Sequence, residues 1–390
     1  MEKDFDRIIS RNGTSSFKYD ERLKVFGRAD VLPLWVADMD FAAPRAVQDT
    51  LKARAAHPIF GYTNYPESMY DALIGWLEYR HGWSVKREWI ILCPGVVPSM
   101  HAATIAMSQP DDQVVVQPPV YAPFLAAAKA VGRRLMLNPL KLENGCYRFD
   151  LEHFEHCAAE GARLLLLCSP HNPVGRVWQQ DELMGLLDIC ERYAISVVSD
   201  EIHADLIYSG KHHTPLAKLG GGKVKIVTAV APSKTFNIPG LGLSALIVPD
   251  EQDRAGIAKA FQMLHIGSAN PFSNAAFEAA YLGGAEWLED LLVYLEETCR
   301  FVAEYLLRHL PLIKLIVPEG TYLLWLDCRA MGLDDKQLEH FFVQQAGVGL
   351  SPGTIFGKQG SGFMRMNIAS PRNVIKEALE KISKAEQSRK

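Results

Sequence analysis

Between residues 89 and 230 the apolar positions gather into short β-branched or leucine-rich runs, separated by stretches in which they recur with helical period. Trp89 to Leu92, Val114 to Gln117, Leu164 to Cys168, Ile195 to Ser199 and Lys225 to Val230 read as buried strands. Met100 to Met107 reads as a helix, and from Asp181 onward Leu183, Leu186, Leu187 and Cys190 share one helical face. The alternation predicts an α/β domain with a mostly parallel central sheet flanked by helices. Beyond residue 286 the pattern changes. A long helical stretch, Trp287 to Arg308, precedes strands near Thr321 to Asp327 and Phe363 to Ile368, with a helix at Asp335 to Gln345 between them. This predicts a smaller α+β domain. Residues 1–45 carry no strand–helix alternation, so the expected division is an N-terminal segment (1–45) against the small domain or a partner subunit, a large domain (46–285) and a small C-terminal domain (286–390).

Composition narrows the classes. Hydrophobic residues make up 48% and charged residues 22% of the 390, which is ordinary globular usage. Lys plus Arg is 41 against 45 Asp plus Glu, a net charge of −4, with no clustered basic face of the kind a nucleic-acid partner requires. The seven cysteines form no CxxC pair, which argues against a zinc ribbon or a disulfide framework and fits a reducing cytosol. The first twenty residues are charged throughout, unlike a signal peptide, and no apolar run approaches the ~20 residues of a membrane helix. A cytoplasmic protein with no membrane partner is expected.

The polar residues of the large domain sit where its strands end. Asn172 follows the strand ending at Cys168, Asp200 closes the next, Lys234 lies past Val230, and Gly95 and Tyr121 follow two others. In an open α/β sheet the carboxyl ends of the strands form one ligand-binding edge, so these five converge. A lysine in a pocket can form a Schiff base with an aldehyde, and a buried carboxylate can keep a pyridine nitrogen protonated. The turn Pro94, Gly95, Val96, Val97 opens a helix whose free amides suit a phosphate. Aldehyde, pyridine and phosphate together describe pyridoxal 5′-phosphate (PLP).

Three strings are more specific: SKTFNIPG at Ser233 to Gly240, PHNPVG at Pro170 to Gly175 and SDEIH at Ser199 to His203. They resemble the fold-type I PLP enzymes of the aspartate aminotransferase superfamily. Within that superfamily, LPLWVADMDFAAP at Leu32 to Pro44 and GYTNYP at Gly61 to Pro66 resemble the MalY/PatB group of cystathionine β-lyases and C–S lyases. The resemblance implies that Lys234 holds the cofactor and later moves the Cα proton, that Asp200 pairs with the pyridine nitrogen, and that Asn172 bonds the ring's 3′ oxygen. It further implies that Tyr121 stacks on the ring, and that the amides of Val96 and Val97, with the Ser233 hydroxyl, bind phosphate. Tyr62 would reach in from a second subunit, making the protein a homodimer. Arg365 would clamp the α-carboxylate of an amino-acid substrate, with Ala37, Asn172 and Tyr121 lining the same subsite. A bidentate guanidinium suits that task.

This chain departs from the aminotransferase pattern at three positions. His203 stands where many of those enzymes place a Tyr near the 3′ oxygen, Gly242 where they carry a phosphate-binding Arg, and Ala231 where they carry a Ser. The implied reaction is α,β-elimination from cystathionine or a related cysteine thioether, giving a thiol, pyruvate and ammonia. A class I/II aminotransferase and a regulatory protein retaining the fold are the alternatives. His153, His156 and Cys157 have no fourth ligand near in sequence and read as a helix surface rather than a metal site. His212 and His213 read as a solvated loop.

Overall fold

Strand-forming runs account for the architecture of the computed structural model, which describes residues 4–263, 265–266 and 270–389. The large sheet has seven strands: β1 (Ile90–Cys93), β2 (Gln113–Val116), β3 (Arg134–Leu137), β4 (Ala162–Cys168), β5 (Ser196–Asp200), β6 (Ile226–Val230) and β7 (Ser244–Ile247). Their order across the sheet is β1-β7-β6-β5-β4-β2-β3. β7 runs antiparallel to β1 and β6, and every other neighbouring pair is parallel. Every residue of β6 is buried, as are all but Ser196 of β5 and all but Arg163 of β4. Covered on both faces, these strands carry continuous apolar runs rather than alternation.

Crossover helices supply the cover. Val96–Met107 (α1) follows β1, Ala122–Ala130 (α2) follows β2, and Gln180–Tyr193 (α3) links β4 to β5. On α3 the buried face is Leu183, Leu186, Leu187 and Cys190, and the Glu182 carboxylate accepts the Gln179 N–H at 2.9 Å to close the first turn. The short helix Pro232–Thr235 (α4) begins two residues past β6. Gly95 holds φ +127 and ψ 160 immediately before α1, a conformation that residues with a Cβ rarely adopt.

The 25-residue helix Ala285–His309 (α5) buries Trp287, Leu288, Leu291, Leu292, Leu295, Val302 and Leu306 along one stripe and leads into a second sheet. That sheet holds β8 (Lys314–Ile316), β9 (Leu323–Asp327), β10 (Ser351–Pro352) and β11 (Phe363–Asn367) in the antiparallel order β8-β9-β11-β10. The expected helix from Asp335 is α-helical to His340 and continues as a π turn through Gln345, burying Phe341 and Phe342. The N-terminal segment is stitched to this part of the molecule: Leu32 pairs in parallel with Val348, and Leu34 O accepts the Asn367 N–H at 2.9 Å. Among the described residues no helix is long and apolar enough to cross a membrane.

Candidate active site

The carboxyl ends of β1, β4, β5 and β6 surround a cavity of about 270 Å³. Val96 and Val97 line it at the start of α1, where no preceding turn accepts their N–H groups. Asn172 comes from the loop after β4, Asp200 is the last residue of β5, and Ser233 and Lys234 belong to α4. Tyr121, His203 and Ala37 complete the wall. Residues far apart in sequence thus meet because parallel strands all deliver their loops to one edge.

The internal bonds order these side chains. Lys234 Nζ donates to Ala37 O at 2.6 Å, and the buried Tyr322 hydroxyl donates to the same oxygen at 3.1 Å. Asp200 Oδ1 accepts the Ile202 N–H at 3.1 Å. Arg365, on β11, crosses from the second sheet: Nη1 donates to Asn172 Oδ1 at 3.1 Å, and Nη2 donates to Trp35 O at 2.7 Å and Ser351 Oγ at 3.3 Å. Its guanidinium lies 4.9 Å from the Phe356 ring centre. Tyr121 N–H donates to Asn172 O at 3.0 Å, tying the two loops together. Behind Lys234, the Thr235 hydroxyl donates to the buried Asp205 carboxylate at 2.9 Å, which also accepts from Trp76 Nε1 and contacts His81 Nε2.

Burial displaces the protonation of every ionisable group here. The Asp200 carboxyl is pushed up to about 7 by desolvation. Desolvation brings the Lys234 amine down to about 8, opposed by the charge of Asp38. Arg365 falls to about 10 and His203 to about 3, both chiefly by desolvation. Among the described residues no carboxylate pairs with Arg365 within 4 Å, its Nε has no hydrogen-bond partner, and neither has the buried Nδ1 of His203.

Tyr62 is not brought into this cavity. Its side chain is fully exposed, on a neighbouring groove of about 870 Å³ that shares Pro94, Gly242 and Leu243 with the cavity wall. His213 corrects an expectation: it is 3% exposed, with Nε2 2.9 Å from the buried Glu201, so only His212 lies in the solvated part of that loop. A loop histidine follows the carboxylate available to it, and the strand end supplied one. Glu201 itself faces away from the cavity, accepting from Ser199 Oγ and Leu216 N–H.

A model of the family described as aminotransferase class I and II matches residues 29–382. The chain belongs to the aminotransferase class I and II family. As a member it is 43% identical over 383 residues to cystathionine beta-lyase PatB of Bacillus subtilis, covering 98% of this chain and 99% of that protein. It is 31% identical to Protein MalY of Escherichia coli over 379 residues, 96% and 97% of the two chains. Cystalysin of Treponema denticola, whose crystal structure contains pyridoxal 5′-phosphate, superposes with a TM-score of 0.95 at 36% identity over the whole of both chains.

The class I and II site fits that cofactor on its own geometry. A carboxyl that desolvation holds near 7 matches a pyridinium, and the free amides of α1 match a phosphate. A half-buried lysine in the same cavity matches an aldehyde. Two participants carried no motif signal. Tyr322 precedes β9 in an unremarkable apolar run, and Asp205 lies past the SDEIH string; only the folded contacts with Ala37 O and Thr235 single them out.

Proposed function

We propose that this chain is a PLP-dependent carbon–sulfur β-lyase that cleaves cystathionine or a related cysteine thioether to a thiol, pyruvate and ammonia. PLP, when bound, supplies an electron sink for charge released at the substrate Cα. The chain's own groups do the rest. Asp200 keeps the pyridine nitrogen protonated, which turns its costly burial into an ion pair. Asn172 has its Oδ1 occupied by Arg365, so its Nδ2 is the atom free to donate to the ring's 3′ oxygen. Tyr121, on the cavity wall, would stack on the ring face. Val96 and Val97 amides and the Ser233 hydroxyl hold the phosphate, and His203, neutral at physiological pH, borders the ring.

Arg365 receives the substrate carboxylate and Ala37 lines that subsite. Lys234, on the same cavity, is the residue that would hold the cofactor through its aldehyde group. Its free amine, held beside the Ala37 carbonyl, would take the substrate's Cα proton. The Cα–H and Cβ–S electron pairs then become, respectively, the new Cα–Cβ double bond and the lone pair on the departing sulfur. Gly242 and Ala231, in place of two phosphate-binding side chains, favour elimination over transamination in this reading.

The protein acts as a cytosolic homodimer in which the partner subunit's Tyr62 completes the phosphate site. The full exposure of Tyr62 outside its own cavity supports this, as does its neighbourhood of exposed Ile59 and Phe60. The division into residues 1–45, 46–285 and 286–390 belongs to the same proposal. The observation that carries the reading is the unpaired Asp200 and the Lys234 amine in one cavity, in a chain 43% identical to a cystathionine beta-lyase. Incubation with cystathionine and no keto acid should release thiol and pyruvate together. Dominant amino-group transfer to an added keto acid would make the chain a transaminase instead.

A further inference from the structure

We infer that Arg11, in the segment ahead of both sheets, is a positioning residue for the reaction: paired with Asp38 and Asp40, it neutralises the acidic flank of the segment that presents the Ala37 carbonyl, and so keeps the Lys234 amine able to accept a proton. The inference rests on the reading of Lys234 as the base.

Four charges meet beside that segment. Arg11 grips Asp38 with both terminal nitrogens, at 3.0 and 2.6 Å, and Nη1 also reaches Asp40 Oδ1 at 2.9 Å. Lys18, fully buried, sits 2.8 Å from Asp40 and 3.8 Å from Asp38. Ser370 Oγ donates to Asp40, and the Tyr19 ring stacks under the Arg11 guanidinium at 5.4 Å. Two cations thus balance two carboxylates.

Arg11 Nη1 makes one long contact to this backbone, donating to Met39 O at 3.3 Å, but two asparagines hold it independently. Asn367 Nδ2 donates to Val36 O and Asp38 O, at 2.6 Å each, and Asn237 brackets Met39 and Phe41 with three bonds. Met39 O also accepts from Asn237 at 3.0 Å, so what Arg11 alone adds is charge. The groups that face Lys234 are Asp38 on this segment, Asp200 at the end of β5, Arg365 on β11, and His203 and Tyr322, with Asp205 behind Thr235 paired to His81. Of these, Asp38 is the carboxylate whose field on Lys234 a neighbouring cation holds in check, and it also acts on Tyr322.

Without Arg11 the cluster carries an excess negative charge, which stabilises the ammonium form of Lys234. The R11Q holoenzyme should therefore show the acid limb of its kcat profile displaced upward by roughly one pH unit, the size expected of one unneutralised charge at an effective dielectric near 20. D38N should displace it downward, R11K should leave it near wild type, and R11Q/D38N should return it. A second readout is independent of turnover: in the cofactor-free full-length chain, the pH dependence of Lys234 acylation, followed by peptide mass spectrometry, should move in the same order. Loss of kcat in R11Q with an unmoved limb, or a double variant that fails to return it, would make Arg11 merely structural and overturn the inference. If borohydride reduction places the pyridoxyl group on another residue, it is the assignment of Lys234 that fails, whatever Arg11 does.

Discussion

Replacing Asp200 by asparagine should stabilise the cofactor-free chain at alkaline pH while weakening its hold on PLP. The carboxyl is 7% exposed, accepts a hydrogen bond from Ile202 N–H and titrates at about 7 instead of the ordinary 3.8. Because the folded value is raised, the folded chain keeps a proton through a window in which the unfolded chain has released it. The associated stability is complete below pH 3.8 and is lost as pH rises through 7. At about 1.4 kcal/mol per pH unit, the loss across that window is roughly 4 kcal/mol. Asparagine preserves the shape and the acceptor for Ile202 but has no charge to desolvate. About two pH units of the window lie above pH 5, so the advantage of D200N over wild type should grow by about 2 to 3 kcal/mol between pH 5 and pH 8. Urea unfolding of both cofactor-free proteins at the two pH values, with matching m-values, measures this directly. Saturating PLP should then raise the stability of wild type well above that of D200N. An advantage that stays constant with pH, or a D200N chain that loses ground at pH 8, would refute the argument that Asp200 is a carboxylate held in wait for a cation.

Three further outcomes follow from the contacts. Lysine at 365 keeps the charge but loses the fork that spans Trp35 O and Asn172 Oδ1, so R365K should raise KM about 10- to 100-fold with a smaller effect on kcat; a pure kcat defect would take Arg365 out of carboxylate binding. Co-expressed K234A and Y62A chains, each inactive alone, should regain turnover as mixed dimers that contain one intact site, and inactive hybrids would place Tyr62 in its own subunit's chemistry. T235V removes the hydroxyl that reaches the buried Asp205 and should cost about 1 to 3 kcal/mol in urea unfolding, whereas a change within experimental error would mean that Trp76 and His81 satisfy Asp205 unaided.

The parallel strands were legible because burial on both faces makes each a continuous apolar run, as in Leu164 to Cys168 and Ile226 to Val230. β7 and β3 escaped that test. Ser244 to Ile247 is four residues long and emerges from a glycine-rich turn, and β3 is the sheet's half-exposed edge, opening on Arg134. Residues at a strand end or within four positions of it, Asn172, Asp200 and Lys234, could be placed on one rim by topology alone. Arg365 could not: it arrives from a different sheet, and only family resemblance pointed to it. Arg11, Tyr322 and His213 act through partners distant in the chain, at Asp38, Ala37 and Glu201, and such pairings leave no periodic trace.

The arrangement of charge separates the site from the rest of the interior. Elsewhere, buried charges are matched: Lys18 with Asp40, Arg176 with Glu182 and Glu319, His81 with Asp205, His213 with Glu201. Around the cavity the rule is broken three times. Asp200, Lys234 and Arg365 make no ion pair within 4 Å among the described residues, and desolvation moves each toward its neutral form. An unpaired charge withdrawn from water destabilises a fold, so buried Asp200 and half-buried Lys234 on the cavity wall, with buried Arg365 bonded to Asn172 behind it, point to what enters it. Asp200 calls for a cation, Lys234 for an electrophilic carbon, and Arg365 for an anion from the second sheet's side. The proposed cofactor would meet the first two demands and the carboxylate of the proposed substrate the third. Binding of both would therefore recover stability that the fold forgoes without them.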